Sequence, residues 1–503
     1  MNKNNIVDII DVEQRHYKII KEILAKFLPY KKVLAYGSRV KWNASETSDL
    51  DLVVFNATQK EIYEAKEEFD ESNIPFIIQI LNWETIPQDF KENIEQKYHI
   101  LQDKSDWGIF KLGDTIEKNQ YSILNNLRKP LSSNIRSKMK DGELYPYYGA
   151  AGIIDYINDF KLNGFYLLIA EDGTVTSNGI NPMLTLAMGK FWVSNHAHII
   201  SSDEDWKIKF LYYLLSSVDI NEYITGAVQP KLNKANLLSI KIYLPPLPEQ
   251  KAIAEILSSL DDKIDLLHRQ NKTLESLAET IFRHYFIDNA KDDWEEKQLD
   301  EIAIVQNGYS FKSSDFENEL PNGYEVLKMG HIEKGGGLRQ NPKRSFVPRS
   351  ENLKKVVLNK NDIVMAMTDM KDNVVILGVP ALVDKENHYA LNQRVARIYL
   401  KNTNVLASQY LLYLYLKNPI FIKELQSQAN SGVQVNLTTQ SIKDSEFLIP
   451  PIEKQKEVLH MFEEIFCKLD ANTKQIQNLE KLRDTLLPKL ISGEIRTNYK
   501  ENE

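Results

Sequence analysis

Two aspartates and a Gly-Ser pair near the N-terminus are the residues of this 503-residue chain best suited to chemistry. Gly37 and Ser38 follow the apolar run VLAY, and Asp49 and Asp51 stand in SDLDLVVF. Alternate residues of a strand point to one face, so the two carboxylates could share a divalent cation. A Gly-Ser turn offers backbone amides and a hydroxyl to phosphate oxygens. Taken alone, the aspartates could equally be solvated acids at a sheet edge.

A Gly-Ser turn followed by Asp-x-Asp on the next strand resembles the nucleotidyltransferase superfamily. The resemblance implies that Gly37 and Ser38 bind a nucleotide and that Asp49 and Asp51 are the catalytic pair that holds Mg²⁺. It also implies a third carboxylate on a later strand, where IPFIIQILNW has Gln79. An amide is neither a general base nor a good ligand for a hard cation. We therefore expect nucleotide or Mg²⁺ binding with weak or absent transfer activity.

The remainder of the chain is a repeat whose second copy is longer internally: Trp107 and Trp294 near its start are 187 residues apart, and its C-terminal parts keep an offset of 205. Pro245 in YLPPLPEQKAI and Pro450 in LIPPIEKQKEV lie 205 residues apart, as do Gln250 and Gln455. Upstream, GAVQPKL and SGVQVNL keep the same offset. This period is too long for a solenoid repeat and predicts two whole domains, each running into its own helix.

Both Pro-Pro motifs are followed by apolar residues at alternating steps of four and three, the pattern of a coiled-coil seam. The seam positions are Ile253, Leu257, Leu260, Ile264, Leu267, Leu274 and Ile281 in the first helix, and Val458, Phe462, Ile465, Leu469, Ile476, Leu479 and Leu486 in the second.

Each repeat also carries one basic segment of loop-like composition, LRKPLSSNIRSKMK in the first and GGGLRQNPKRSFVPRSENLKK in the second. Such loops can contact DNA phosphates, and their arginines can read base edges. A charged run can equally be a solvated surface. The candidate DNA-binding residues are Arg128, Lys129, Arg136, Lys138, Arg339, Lys343, Arg344 and Arg349.

The order of domain, Pro-Pro helix, domain and Pro-Pro helix is similar to that of the specificity subunits of type I restriction-modification systems. The similarity rests on LPPLPEQKAIAEILSSLDDKID, YPYYGAAGIIDYI, NGYSFKSSDF and LRDTLLPKLISGEI. It implies a multidomain α+β fold: a nucleotidyltransferase-like α/β domain, two α/β target-recognition domains that each read half of a bipartite site in double-stranded DNA, and two long helices forming an antiparallel coiled coil. The helices would space the domains and dock methyltransferase subunits. S-adenosylmethionine and ATP would enter only through the methyltransferase and motor-nuclease partners, with no cofactor in the main body.

The expected domains are 1–104 (nucleotidyltransferase-like), 105–244 (first target-recognition domain), 245–287 (first helix), 288–449 (second target-recognition domain) and 450–503 (second helix and tail).

Antiparallel helices fix a register, because facing residues then have numbers with a constant sum. Asn271 and Asn472 are polar residues in the two seams, and pairing them also places Leu267 opposite Ile476. Paired asparagines in a coiled-coil seam specify register. The same register puts Arg483 in the seam, where its stem would lie along the helix and its head would reach solvent.

Composition excludes several classes of protein. The formal net charge of −8 argues against indiscriminate nucleic-acid binding, and the single cysteine, Cys467, permits no internal disulfide. No apolar run has the length of a membrane helix, so we expect a soluble cytoplasmic protein. Two other functions stay open: a nucleotidyltransferase-type enzyme or antitoxin-like module targeted by a DNA-binding scaffold, and a scaffold that only recruits partners.

Overall fold

The computed structural model describes residues 10–29, 31–45, 47–103, 107–226, 229–318, 320–339, 342–370, 374–431 and 434–497. They form two units. The first comprises the described residues up to Asp262 and those from Glu480 onward, and the second runs from Lys263 to Leu479.

The first unit begins with a four-stranded sheet in the order β3-β2-β1-β4, in which β1 pairs antiparallel with both β2 and β4 while β2 pairs parallel with β3. Its elements are α1 (Gln14–Phe27), β1 (Val33–Tyr36), α2 (Ser38–Lys41), β2 (Leu50–Val54), α3 (Gln59–Glu71), β3 (Ile78–Asn82), α4 (Gln88–Gln96) and β4 (His99–Gln102). The apolar face of α1 buries Ile20 and Leu24 in the same core as Leu50 and Leu52 of β2. This packing fixes the strand that carries Asp51.

The next part of the first unit is a six-stranded sheet in the order β6-β11-β9-β10-β7-β8, with a separate two-stranded ribbon. Its elements are β5 (Gly108–Lys111), α5 (Leu112–Glu117), β6 (Ser122–Ile123), α6 (Ser133–Arg136), β7 (Tyr145–Gly149), β8 (Gly152–Ile157), β9 (Leu162–Ala170), β10 (Leu184–Val193), β11 (Ala197–Ser201), α7 (Asp205–Leu215), α8 (Lys234–Ser239), β12 (Lys241–Leu244) and the first part of α9 (Leu247–Arg283), which continues into the second unit from Lys263. The ribbon pairs β5 with β12, so the first and last strands of this segment are hydrogen-bonded to each other. The segment is therefore closed on itself immediately before α9 begins.

The second unit repeats this closure, with β13 paired to β24 immediately before α14. Its elements after α9 are β13 (Glu295–Gln298), α10 (Leu299–Ile302), β14 (Ala303–Asn307), β15 (Tyr324–Leu327), β16 (Phe346–Val347), β17 (Ile363–Ala366), β18 (Thr368–Met370), β19 (Pro380–Leu382), β20 (Tyr389–Leu391), β21 (Val395–Leu400), α11 (Gln409–Lys417), α12 (Pro419–Ser427), β22 (Asn430–Ser431), β23 (Gln434–Asn436), α13 (Thr439–Lys443), β24 (Glu446–Ile449) and α14 (Ile452–Ile491). Three small sheets are formed, β14-β21-β17-β19, β16-β15-β20 and β18-β23-β22.

The glutamine of each Pro-Pro motif explains why the motif recurs. Gln250 donates from Nε2 to the carbonyl of Pro245, and Gln455 donates in the same way to Pro450, both at 2.8 Å. Proline ends the ribbon strand because it has no N–H to donate, and the buried amide then ties the first helical turn back to the proline carbonyl. The motif thus sets the joint between ribbon and helix in both units.

None of the helices in the described ranges is both long enough and apolar enough to cross a membrane. Cys467 is a free, exposed thiol on α14.

Candidate DNA-reading surfaces and nucleotide site

Gly37 lies at the end of β1 and packs directly against the carboxylate of Asp51 on β2. Its φ is +80°, and a Cβ built there would lie 2.2 Å from Oδ2 of Asp51. Asp51 is paired with Tyr36 on one side and with Gln79 on the other. Only glycine combines this backbone conformation with so close an approach, so the Gly-Ser turn and the Asp-x-Asp segment form one constellation.

Asp49 lies immediately before β2 rather than within it. The Nε2 atom of Gln79 donates to its Oδ2 at 2.6 Å. Arg39 fixes the preceding loop by donating from Nη2 to the carbonyl of Ser48 at 2.7 Å. The guanidinium also lies 3.8 Å from the ring centroid of Phe76. Asp49 is therefore presented by a braced loop, with an amide where a third acid was expected.

Burial raises the pKa of the Asp51 carboxyl, and the nearby charge of Asp49 raises it further. Burial and the charge of Asp51 raise the pKa of Tyr36 to about 12. Across the described parts of the chain, no group of three or more His, Cys, Asp or Glu side chains is placed to hold a metal ion. Asp49 and Asp51 contribute two carboxylates to this constellation, and Gln79 contributes an amide. Their assignment as metal ligands stays a prediction.

In the first basic segment, the two arginines are engaged in internal ion pairs. Arg128 pairs through Nη1 with Glu171, and Arg136 donates from Nε to Asp155 at 2.8 Å. Each side chain is only 18% exposed. Both arginines therefore hold the segment against the sheet, and their assignment as DNA contacts stays a prediction.

Lys129 and Lys138 differ from these arginines. Both side chains are exposed, and neither has an ion-pair partner among the residues described. They are the two cations of this segment without an ion pair among the described residues, and their assignment as DNA contacts stays a prediction.

The second basic segment, like the first, contains both paired and unpaired cationic side chains. Arg349 donates to the carbonyls of Asn322 and Asn387 at 3.2 Å each, and Arg339 forms an ion pair with Glu333 at 3.2 Å. These contacts brace the segment.

Lys343 is exposed and has no ion pair within the described ranges. Its neighbour Arg344 lies with Nε 3.7 Å from Oε1 of Glu325 and is 53% exposed.

The sequence interpretation missed Glu325, a buried acid in the apolar strand β15. Its carboxylate contacts His331 and His388, both at 3.1 Å, as well as Arg344. A single glutamate inside the run YEVL was the one signal in the sequence, because an acid in a buried strand needs partners.

The seam asparagines meet inside the second unit. Asn472 donates from Nδ2 to Oδ1 of Asn271 at 2.9 Å and is 1% exposed. Leu267 and Ile476 share the adjacent apolar cluster with Ile264. The two helices are therefore antiparallel in this unit, in the register that the sequence indicated.

Arg483 has an ion-pair partner that the sequence did not predict. In the first unit its Nη1 atom forms an ion pair with Asp261 at 2.9 Å, and Asp261 also accepts from the hydroxyl of Tyr213 at 2.6 Å. The sequence predicted that the head group reaches solvent; the side chain is 30% exposed and is also paired with a carboxylate one residue beyond Leu260. The guanidinium is thereby bound to α9 and, through Asp261, linked to Tyr213 of α7.

Comparisons with known proteins divide the chain in two. The type I restriction modification DNA specificity domain matches residues 104–276 and 291–481, and a polymerase beta nucleotidyltransferase model matches residues 18–106.

Individual relatives follow the same division. The type I restriction enzyme MjaVIII specificity subunit of Methanocaldococcus jannaschii is 26% identical over 442 residues, covering 82% of this chain and 98% of that protein. The probable protein adenylyltransferase MntA of Haemophilus influenzae is 36% identical over 98 residues, covering 19% of this chain and 86% of that protein. The crystal structure of a type I restriction-modification S subunit from M. genitalium aligns with a TM-score of 0.47 and 17% identity, covering 76% of this chain and 96% of that one.

Proposed function

The chain belongs to the type I restriction modification DNA specificity family, and from this premise we propose that it recognises a bipartite DNA site through two target-recognition domains. One observation carries the proposal: each repeat is closed by its own ribbon, β5 with β12 and β13 with β24, immediately before a Pro-Pro helix. A domain closed in this way can change its recognition loops without altering its connection to the helix. Each domain then reads one half of the site.

Direct contacts to phosphates are assigned to the exposed lysines, Lys129 and Lys138 in the first domain and Lys343 in the second. Phosphate contacts set the orientation of the protein on the duplex and make affinity fall with salt. The arginines Arg128 and Arg136 of the first segment are instead paired with acids of the same domain. The negative charge of the whole chain then limits binding away from the cognate site.

The two long helices are proposed to dock methyltransferase subunits, which in turn join a motor-nuclease subunit. Ile256, Leu266 and Leu277 on α9 are between 38% and 46% exposed, although the seam of the helix is already filled by other apolar residues. Apolar side chains exposed on a helix are suited to a protein partner. S-adenosylmethionine and ATP would then be bound by those partners, while this chain supplies recognition.

The test is to express the chain with a methyltransferase subunit and map methylated adenines in the host DNA. We expect a split recognition sequence. Exchanging residues 288–449 for those of a relative should change one half of that sequence and leave the other half and the spacing intact. A change in both halves, or in neither, would contradict the assignment of one domain to each half.

A second function is supported by the constellation of Gly37, Asp49 and Asp51 in the N-terminal domain. Here we propose binding of a nucleotide with Mg²⁺, with weak or absent transfer. Bound Mg²⁺ would supply positive charge against the phosphates. The protein contributes the two carboxylates and the braced loop, but Gln79 donates to Asp49 and cannot accept a proton from an attacking hydroxyl.

This second function is tested by equilibrium nucleotide binding and by transfer of a radioactive nucleotide, each with Mg²⁺. Wild type should bind and transfer little. Gln79→Glu should raise transfer, while Gln79→Leu, which removes the amide without adding charge, should not. Robust wild-type turnover that is lost in Asp51→Ala would refute the weak-transfer assignment, and equal activity of the two Gln79 variants would refute the role of that position.

A further inference from the structure

A buried lysine joins the last turn of α11 to α9 within the second unit. Lys417 is the last residue of α11, and its side chain is only 7% exposed. Its Nζ atom forms ion pairs with Oε2 of Glu275 at 3.1 Å and with Oε1 of Glu279 at 2.9 Å. Burial alone would lower the pKa of Lys417, but Tyr413 and the two carboxylates outweigh burial and raise that pKa. The side chain is therefore charged, and α9 holds its far end.

The stem of Lys417 contacts the glycines at the start of the second basic segment. Gly336 has a φ of +109°, and a Cβ built there would lie 2.9 Å from Cε of Lys417 and 3.4 Å from the carbonyl oxygen of Pro380. The backbone N–H of Gly337 donates to the same carbonyl at 3.1 Å. The backbone at these glycines therefore packs on β19 and on the lysine stem, with no room for a side chain at position 336.

These glycines belong to a hydrogen-bonded turn, residues 331–339, which we call the glycine turn. The backbone N–H of Arg339 donates to the carbonyl of His331 at 2.7 Å, and that of Glu333 donates to the carbonyl of Gly337 at 2.9 Å. The side chains of Arg339 and Glu333 also form an ion pair at 3.2 Å. A displacement at Gly336 therefore moves the turn together with the first basic residue of the segment.

Stability alone does not require a charged residue at position 417. Replacing a buried ion pair by an apolar side chain of similar volume is often neutral or stabilising. An ammonium group hydrogen-bonded to two carboxylates has a fixed direction, whereas an apolar side chain such as methionine adopts several conformations. What the lysine adds to the contact beneath the glycine turn is orientation.

We propose that Lys417 is a positioning residue for DNA recognition: its stem supports the glycine turn, and its ammonium group, held by Glu275 and Glu279, keeps that support fixed against α9. The inference rests on the proposed DNA-reading function. Base pairs are discriminated by contacts of defined geometry, so a shift of the second basic segment reduces discrimination in the half-site that the second domain reads. The other half-site is read by the first domain, whose residues belong to the first unit.

The measurement is the affinity of the complex with its methyltransferase subunit for three fluorescent duplexes at constant ionic strength. One duplex carries the site found by methylation mapping, and each of the others carries a single base-pair change in one half of that site. The ratio of affinities for the mapped and the changed duplex measures discrimination, which is about 5–150-fold for one good base contact. Exchange of residues 288–449 identifies the half-site of the second domain.

Lys417→Met keeps an apolar stem and removes the charge. Discrimination in the half-site of the second domain should fall by at least about fivefold, while discrimination in the other half-site stays at the wild-type level. Hydrogen exchange of the α11 amides should show stability equal to wild type or greater, because Glu275 and Glu279 are 43% and 49% exposed and can be hydrated. A lysine with a purely structural role would give lower stability and unchanged discrimination.

Two glycine variants form a matched pair. Gly335 and Gly336 both have a positive φ, +88° and +109°, but a Cβ at Gly335 would meet no atom of the described residues within 4 Å. Gly335→Ala therefore introduces backbone strain alone and should keep discrimination, whereas Gly336→Ala should lose it in the half-site of the second domain. The effect of Gly336→Ala should be smaller in the Lys417→Met background, because the end of methionine is not held by α9 and can turn away.

Wild-type discrimination in Lys417→Met, or an equal loss in both half-sites, would overturn the inference, as would equal discrimination in the two glycine variants. Circular dichroism checks that each variant is folded, and if Lys417→Met does not fold, the glycine pair decides. A wild-type complex that does not discriminate the mapped duplex from the changed duplexes would instead refute the proposed DNA-reading function, and the inference would fall with it.

Discussion

Replacing Asn271 with leucine is expected to destabilise the paired helices, whereas replacing Asn472 with leucine is expected to stabilise them. Asn472 is 1% exposed, its Nδ2 atom bonds to Asn271, and its Oδ1 atom is buried without a partner among the described residues. Asn271→Leu would remove the one acceptor and leave a second buried polar atom unpaired, at a cost of about 1–3 kcal/mol. Because position 271 is only half-buried, burial of the new leucine side chain stabilises the paired helices by less than about 1 kcal/mol. The net loss is about 1–2 kcal/mol.

Asn472→Leu acts in the opposite direction. It removes the unpaired Oδ1 atom and places an apolar side chain in a buried layer, while the amide of Asn271 can turn to water. The expected gain is about 1–3 kcal/mol. The double variant should also be more stable than wild type, although it would lose the polar layer that specifies register.

The assay is native-state hydrogen exchange of the α9 and α14 amides in the second unit, because a multidomain chain has no single free energy of unfolding. Asn271→Leu should raise the opening constant by a factor of about 5–30, and Asn472→Leu should lower it. Asn478→Leu, at an exposed position of α14, is the control and should change exchange little. Equal effects of the two seam variants would show that the asparagines are not bonded as described.

Three further outcomes are expected. Gly37→Ala should lower the melting temperature of the N-terminal domain in calorimetry, because its Cβ would lie 2.2 Å from Oδ2 of Asp51 at a φ of +80°; an unchanged melting temperature would show that this packing is absent. Burial and the charge of Asp49 raise the pKa of Asp51, so the folded domain binds that proton more tightly than the unfolded chain and loses stability as pH rises through the raised pKa. Asp51→Asn should therefore stabilise the domain at pH 7 but not below about pH 4, the ordinary pKa of aspartate, and a gain that persists there would contradict the reasoning. Arg496→Gln should lower the stability of the start of α9 by about 3–5 kcal/mol, because Glu249 is fully buried and pairs with Arg496 at 2.7 Å. Adding Glu249→Gln to this variant should restore most of the lost stability in hydrogen exchange, and no rescue would argue against a charge effect.

The sequence by itself determined the repeated architecture and the helix register. The spacing of apolar residues by three and four is a local property of each helix. The constant offset between the repeats relates the seam of the second helix to that of the first, and an antiparallel arrangement then determines which residues face each other. Asn271 and Asn472 could therefore be paired on the sequence alone. Gln79 was located in the same way, by its place in a strand that follows the Asp-x-Asp segment, and the structure sets it beside Asp49.

Only the tertiary structure decided which basic residues are free and which are braced. Arg128 and Arg136 stand in the same run as the exposed lysines, but their acceptors Glu171 and Asp155 come from strands or loops well separated along the chain. The same holds for Glu325, whose partners come from three different segments. Ion pairing depends on distances of a few ångströms between distant parts of the chain, and no local pattern of residue types encodes those distances.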